Sequence, residues 1–420
     1  MSVLVLHQIG SVQAAPYDRW LADYDGDVLL LTCADNLAGV AEELPAAGSG
    51  YALAEAVPGY DHSGLLEERA LDLAREHEVR HLVACHERDL ERAAILREVL
   101  DLPGQRMDSV EPFRDKALMK RIATEAGLEV APWREVECAS ELLGFAAEFG
   151  FPLVVKPRDS AGSMGVRILH TEQALRDCLA TDLDLDGADQ SQLLVEAYVP
   201  GRMCHVDGLV VDGRTVFAWP SQYQYALATY ATDTGPRMDL TLDADDPLAE
   251  RLLKFAERLL DAMPGPEHFA FHAEVFHTPD DRLVLCEIAC RTGGAAIRDI
   301  VRVMSGVDPT EAWVRAQLGL PLQEDLGSGG GLPRRMAGQM VLMKRPGRVV
   351  SVPQEAPDFP WIERFTVFVQ PGQVMGPATA SSDFLVMALV SGRDRAECVE
   401  RLKQVEHWFL GELVLEPVTR

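Results

Sequence analysis

The segment Phe151-Pro152-Leu153-Val154-Val155-Lys156-Pro157 ends an apolar run on a lysine and leads into Ser160-Ala161-Gly162-Ser163-Met164-Gly165. An apolar run of that length reads as a buried strand. A charge at its end is costly unless it is paired or functional. The small residues of the following loop let backbone N–H groups approach an anion, with the Ser160 and Ser163 hydroxyls as further donors. A second short strand at 166–170 makes the segment a hairpin with an unusual tip. An ordinary hairpin turn remains the alternative for this segment taken alone.

At 420 residues the chain is too long for one ordinary core and implies two to four units. Residues 1–107 alternate short strands (2–8, 27–32, 81–85) with helical stretches such as 65–76, which predicts a parallel α/β sheet. A long amphipathic helix is expected over 114–126, then an extended segment at 129–136. Further strands are expected at 192–198, 206–211 and 215–219, and a helix at 247–263. The stretch 269–289 reads as a hairpin. Gly327-Ser328-Gly329-Gly330-Gly331 is a flexible connector by composition. Residues 336–420 read as a small α+β unit closing with a helix at 395–409.

The net charge, 39 − 66 = −27, is spread without long single-sign runs and disfavours nucleic acid and acidic membranes as partners. Nowhere do ~18 consecutive apolar residues occur, and the start lacks a basic, apolar leader, so a soluble cytoplasmic protein is expected. Eight scattered cysteines without a C-x-x-C pair indicate neither a zinc site nor a disulfide framework. His77-Glu78-Val79-Arg80-His81 matches H-E-x-x-H, yet helical spacing gives way to an apolar run inside it, so a helix-to-strand turn is expected there. Asp182, Asp184, Asp186 and Gly187 mimic the start of an EF-hand loop, but Leu193 stands where the bidentate Glu is required. Neither G-x-x-x-x-G-K-[ST] nor G-x-G-x-x-G is present.

Two other segments join the Lys156 hairpin as carriers of chemistry. Arg114-Asp115-Lys116 opens a helix, where a lysine beside the N-terminus offers a point charge to a phosphate. The hairpin 269–289 carries Glu274 and Glu287. With Pro279-Asp280 as a two-residue loop, Glu274 pairs with Leu285 and His272 with Glu287, leaving the two glutamates as diagonal neighbours on one face. Two such carboxylates repel unless a cation lies between them, and Mg²⁺ with phosphate oxygens suits that place. Arg291, four residues on, is placed to grip a carboxylate or a phosphorylated intermediate.

Taken together, these segments resemble the ATP-grasp superfamily over about 82–410. The match includes Asp115-Lys116, the Lys156 strand and loop, Leu193-Leu194-Val195-Glu196-Ala197-Tyr198-Val199-Pro200-Gly201, and Glu287-Ile288-Ala289-Cys290-Arg291. Residues 382–392 look like the closing unit of carboxylate-amine ligases, including L-amino acid ligases that make dipeptides. The resemblance implies a mixed α/β and α+β fold. It would comprise a parallel α/β N-terminal domain (1–107), a two-lobed ATP clamp (108–190 and 191–335) and a C-terminal α+β unit (336–420).

By the same resemblance, Lys116, Lys156, Ser160, Gly162, Ser163 and Gly165 would contact ATP phosphates, and Glu196, Ala197, Tyr198 and Val199 would border adenine. Glu274 and Glu287 would hold Mg²⁺, as two ions with Mn²⁺ able to substitute. Arg291, Ser163 and His272 are the catalytic candidates. Met203 stands where the family commonly has an acidic ribose ligand, so His205 or Asp207, on the same strand face, is expected to replace it. Ala289 stands where the family often has Asn, and some amino-acid ligases share that departure; Asn36 is the only asparagine in the chain. The implied reaction joins a small carboxylic acid to an amine through an acylphosphate, and a homodimer is compatible with it. The rivals are a carboxylase or purine-pathway ligase using bicarbonate or formate, and a nucleotide-binding regulator without chemistry.

Overall fold

The computed structural model describes residues 1–46, 48–181, 192–226, 235–322 and 332–417. The acidic loop beginning at Asp182 and the connector 327–331 lie outside the described residues. The chain opens with β1 (Ser2–His7), α1 (Tyr17–Trp20), β2 (Asp27–Cys33), α2 (Ala34–Gly39), β3 (Leu53–Val57), α3 (Leu65–Glu76), β4 (Val79–Ala84) and α4 (Glu87–Leu100). The strands pair in parallel in the order β3-β2-β1-β4, as the alternation predicts. Val3, Leu4, Val5 and Leu6 are all buried because both faces of the sheet are covered. Edge strand β3 escapes sequence reading because its pattern, Leu-Ala-Glu-Ala-Val, is only half-buried. Between α3 and β4, Glu78 takes φ 48°, so the H-E-x-x-H segment is split across a helix end and a strand.

The helix expected over 114–126 is α6 (Lys116–Glu125), preceded by a separate helix that the sequence reading did not include, α5 (Met107–Arg114). Asp115 breaks them: its backbone is extended and its carboxylate accepts from the N–H groups of Ala117 and Leu118, an N-cap that places Lys116 on the first turn. Next come β5 (Trp133–Val136), α7 (Ala139–Phe149), β6 (Leu153–Pro157), β7 (Arg167–Leu169), α8 (Glu172–Thr181) and β8 (Leu193–Ala197). These strands form one small antiparallel sheet ordered β5-β8-β6-β7. Because β8 pairs with both β5 and β6, the first clamp lobe runs past the boundary expected at 190.

The remaining elements are β9 (Arg202–Val211), β10 (Arg214–Tyr223), β11 (Arg237–Thr241), α9 (Pro247–Ala262), β12 (Phe269–His277), β13 (Leu283–Ala289), α10 (Ile297–Ser305), α11 (Pro309–Gln317), β14 (Met336–Met343), β15 (Gly347–Ser351), β16 (Ile362–Val367), β17 (Val374–Met375), β18 (Phe384–Gly392), α12 (Arg395–Glu412) and β19 (Val414–Glu416). Eight strands make one large sheet in the order β13-β12-β9-β10-β11-β14-β18-β16. Helix α9 starts with Asp246 as N-cap and Pro247 at its first position, and buries Leu252, Phe255 and Leu259 on one face.

Strands β14, β18 and β16 continue the sheet beyond β11, so the boundary at 335/336 is no break in it. Only β17-β15-β19 form a sheet of their own. The β12–β13 hairpin also differs from the expected register. Thr278 pairs with Arg282 across a three-residue loop with Asp281 at φ 64°, and a bulge at Cys286 then sets Glu274 directly opposite Glu287. No helix among the described residues is long and apolar enough to cross a membrane.

Candidate active site

The small and large sheets face each other across a cavity of about 380 Å³. On the small-sheet wall, β6 brings Lys156 and β8 brings Glu196, whose backbone pairs with Val154. Lys156 Nζ lies 2.5 Å from Glu196 Oε1, and Lys120 Nζ 2.8 Å from Glu196 Oε2; all three side chains are buried. Burial pushes the Glu196 carboxyl up, but the two ammonium groups outweigh it and hold the pKa at about 2. Burial likewise pulls Lys156 down, and the Glu196 charge more than reverses it. Glu196 and Lys156 stay ionised in a low-dielectric wall because each has a partner.

Lys116 bridges the walls. Its Nζ donates to the Ser160 carbonyl and sits 3.3 Å from Glu287 Oε2 on β13. Burial raises the Glu287 pKa, but Lys116 and then Lys156 bring it below the ordinary value. The glycine loop covers this junction. Gly162 at φ 65° and Ser163 at φ 60° both take left-handed backbone, and Ser160, Gly162 and Ser163 line the cavity. Ser381, from the loop before β18, donates to the Gly162 carbonyl at 2.7 Å. Gly165 does not line the cavity. At φ 72° it packs the hairpin base, where a Cβ would meet the Pro157 ring at 2.8 Å, which corrects its expected phosphate role.

Glu196, Ala197, Tyr198 and Val199 line the far end together with Met203. His205 and Asp207 do not reach it. They follow Met203 along the same face of β9 but lie fully buried in the large sheet, where Tyr223 stacks over His205 with ring centroids 4.6 Å apart. Both ring nitrogens of His205 are taken, Nδ1 by Asp207 and Nε2 by Asp239 at 2.9 Å. Asp207 Oδ1 in turn meets His272 Nδ1 at 2.8 Å, and His272 Nε2 lies 3.4 Å from Glu274 Oε1. Burial pulls His272 down, yet the Asp207 charge lifts it to about 9. Burial also pulls His205 down, but Asp239 and Asp207 raise it well above the usual histidine range. These imidazoles therefore brace Glu274 from behind, which overturns both the ribose expectation for His205 and Asp207 and the catalytic expectation for His272. The atoms of His205, Asp207 and His272 also lie within 4.8 Å of one another, but two positively charged rings with their nitrogens already bonded make a poor cation site.

The network continues away from the cavity: Asp239 Oδ2 accepts from Gln339 at 3.0 Å, and Gln339 Oε1 accepts from the N–H of Ala296. Arg291, beyond the end of β13, donates to Glu87 and to the Thr292 carbonyl and is not part of the cavity lining. Glu87 also accepts from Arg114. Burial pushes Glu87 up, but Arg291 and Arg114 outweigh it and hold it at about 2. Glu87 and Lys120 were missed in the sequence. Lys120 sits four residues after Lys116, on the same helix face. Glu87 follows the carboxyl end of β4, the end at which open α/β sheets bind ligands.

Residues 149–299 match the family described as ATP-grasp domain, and residues 339–407 the one described as L-amino acid ligase C-terminal domain 2. An L-arginine-specific L-amino acid ligase of Bacillus subtilis is 24% identical over 226 residues, 53% of this chain and 53% of that protein. Carnosine synthase 1 of Gallus gallus is 32% identical over 212 residues, 48% of this chain but 22% of its own length. The chain thus spans about half of the first curated relative and less of the second. Among solved structures, an L-amino acid ligase from Bacillus licheniformis superposes with a TM-score of 0.77 at 17% identity, covering 100% of this chain and 99% of that one. The biotin carboxylase domain of the Hydrogenobacter thermophilus 2-oxoglutarate carboxylase, in complex with MgADP, gives 0.72 at 16% identity over 98% and 90%. The chain has the ATP-grasp fold, and it joins an ATP-grasp domain to a C-terminal domain of the L-amino acid ligase type.

Proposed function

We propose that this chain is an ATP-dependent ligase that activates a small carboxylic acid, an amino acid among them, as an acylphosphate and transfers it to the amine of an amino acid. The observation that carries this is the opposition of Lys116 and Lys156 to the Glu274–Glu287 pair across one cavity. In this reading Lys116 and Lys156 hold ATP phosphates under Ser160, Gly162 and Ser163, and residues 196–199 border the adenine. The donor set suits Mg²⁺: Glu274 and Glu287 are partly exposed oxygen ligands directly opposite one another, with Lys116 3.3 Å from Glu287 and His272 3.4 Å from Glu274 as the cations a metal would displace. Glu274 and Glu287 would hold one magnesium ion or two, with Mn²⁺ able to substitute, which would neutralise charge on the phosphates.

The acid's carboxylate oxygen forms the bond to the γ-phosphorus as the bond to ADP breaks. Arg291 positions the acid, since its planar fork matches a carboxylate. The amine nitrogen then attacks the acyl carbon, inorganic phosphate leaves, and the nitrogen loses a proton. The covering loop keeps water from the acylphosphate meanwhile. All eight cysteines are free thiols, which supports a reducing, cytoplasmic setting.

The match at 339–407 favours amino acids over bicarbonate or formate. Phosphate release from Mg-ATP is to be measured with pairs of amino acids, with β-alanine and histidine, and with bicarbonate or formate. Release that requires an amino acid, with a new amide in the product, is expected. Turnover with bicarbonate or formate alone would move the chain to the carboxylases, and none with any acid–amine pair would leave a nucleotide-binding regulator.

A further inference from the structure

A second cavity, of about 410 Å³, shares no lining residue with the first. It runs along β4, the edge strand of the parallel sheet, and is closed from the other side by Trp313 and Leu318 at the end of α11. Arg97 of α4 reaches into it and is 2% exposed. The guanidinium donates to two carbonyls, Gln105 O at 3.0 Å and Leu82 O at 2.7 Å, and its Nε has no partner. Among the described residues no carboxylate pairs with it, whereas every buried cation of the first cavity has one. Burial pulls its pKa down to about 10. Gly104, at φ 116°, packs against the Nε edge of the guanidinium, where a Cβ would sit 2.8 Å away.

A buried cation without its anion is costly, and a planar fork with spare N–H donors facing a cavity is the geometry that takes a carboxylate. We propose that this cavity binds a small organic carboxylate, held by Arg97 with its apolar body against Trp313 and Leu318. Asp108 lies at the rim, where an α-ammonium group would reach it, so the ligand is either a simple acid or a free amino acid. Gln105, whose carbonyl accepts from Arg97, also donates from its side chain to Cys290 Sγ at 3.4 Å, one residue before Arg291.

The test is ligand-observed NMR titration of the full chain with propionate and, separately, L-alanine, at constant ionic strength. Saturable binding is expected for at least one of them, weakened tenfold or more by Arg97→Gln and by Gln317→Trp, which fills the cavity from the half-buried end of α11. Arg291→Gln should leave it in place. Tighter binding of alanine than of propionate assigns the ligand as an amino acid, and equal binding as a simple acid. Should Arg97→Gln fail to fold, Gln317→Trp alone decides. Absence of saturable binding, binding untouched by the cavity variants, or binding lost only with Arg291→Gln overturns the proposal.

Discussion

On the small-sheet wall of the first cavity two buried lysines share one carboxylate, whereas on the large-sheet wall Glu274 is backed by a chain of imidazoles and further carboxylates. The first arrangement depends on a single anion, Glu196. The second spreads its charge over His272, Asp207, His205 and Asp239, so that a front-line carboxylate stays half-open while its supporters are buried. The difference implies that damage to the cation wall appears first as lost folding, and damage to the carboxylate wall first as lost metal binding.

The largest effect is expected from Glu196→Gln, which leaves Lys120 and Lys156 buried without their anion and should cost about 3–5 kcal/mol of stability. Urea denaturation checks it, and a loss under ~1 kcal/mol would erase the contrast between the walls. The pH dependence sharpens the test. The Glu196 pKa is 4.5 ordinarily and about 2 in the fold, so its contribution is present above pH 4.5 and is lost as pH falls toward 2. The Gln variant should lack that component.

Arg291→Lys, outside both walls, should keep ATP affinity but lose turnover by an amount on the order of 2–4 kcal/mol in the transition state. Calorimetry and product formation on the same variant separate the outcomes, and lost ATP affinity would move Arg291 into the nucleotide site. Asp207→Asn keeps the hydrogen-bonding shape and removes the charge behind His272. It should weaken magnesium binding by roughly 10- to 100-fold with little change in folding. A magnesium titration of turnover would refute the bracing role if the midpoint stays put.

The smallest effect is expected from Ser381→Ala, which deletes one hydrogen bond to the glycine loop and is worth about 0.5–1.5 kcal/mol. Limited proteolysis within 160–165 should quicken several-fold without nucleotide and be suppressed by a Mg-ATP analogue. Equal cleavage in variant and parent would show that the contact does not restrain the loop.

Elements with strong local signals were legible in the sequence. The parallel strands β1, β2 and β4, α3, the Lys156 hairpin and α9 all carry a clear period, a cap or a turn. What stayed hidden depends on contacts distant in the chain. The bulge at Cys286 leaves no mark in a strand where Leu285 and Ile288 are both buried, so the loop and register of the β12–β13 hairpin were each misjudged, and the two errors add to a two-residue shift that still leaves both glutamates on one face. The start of α6 at Asp115 was legible to within two residues, whereas α5 before it, with Pro112 inside, was not read as a helix. The burial of His205 and Asp207 could not be read from period two alone. That period puts them on the face of Met203, and only His272 of β12, Tyr223 of β10 and Asp239 of β11 show that the face closes over. Arg97 likewise looks like any helix arginine until the edge of β4 and the end of α11 are placed around it.

Since β14 hydrogen-bonds to β11, the last fifth of the chain is not a detachable module. A truncation near residue 335 would bare the full edge of β11, invite edge-to-edge aggregation, and strip Gln339 from Asp239. Exchanging C-terminal parts between relatives to change what is joined would have to carry β14 and β18 across as matched strands. Because β9, β10 and β12 are joined to β11 in the same sheet, the practical crossover point in such chimeras lies before β9, not in the glycine-rich connector that the sequence offers as a seam.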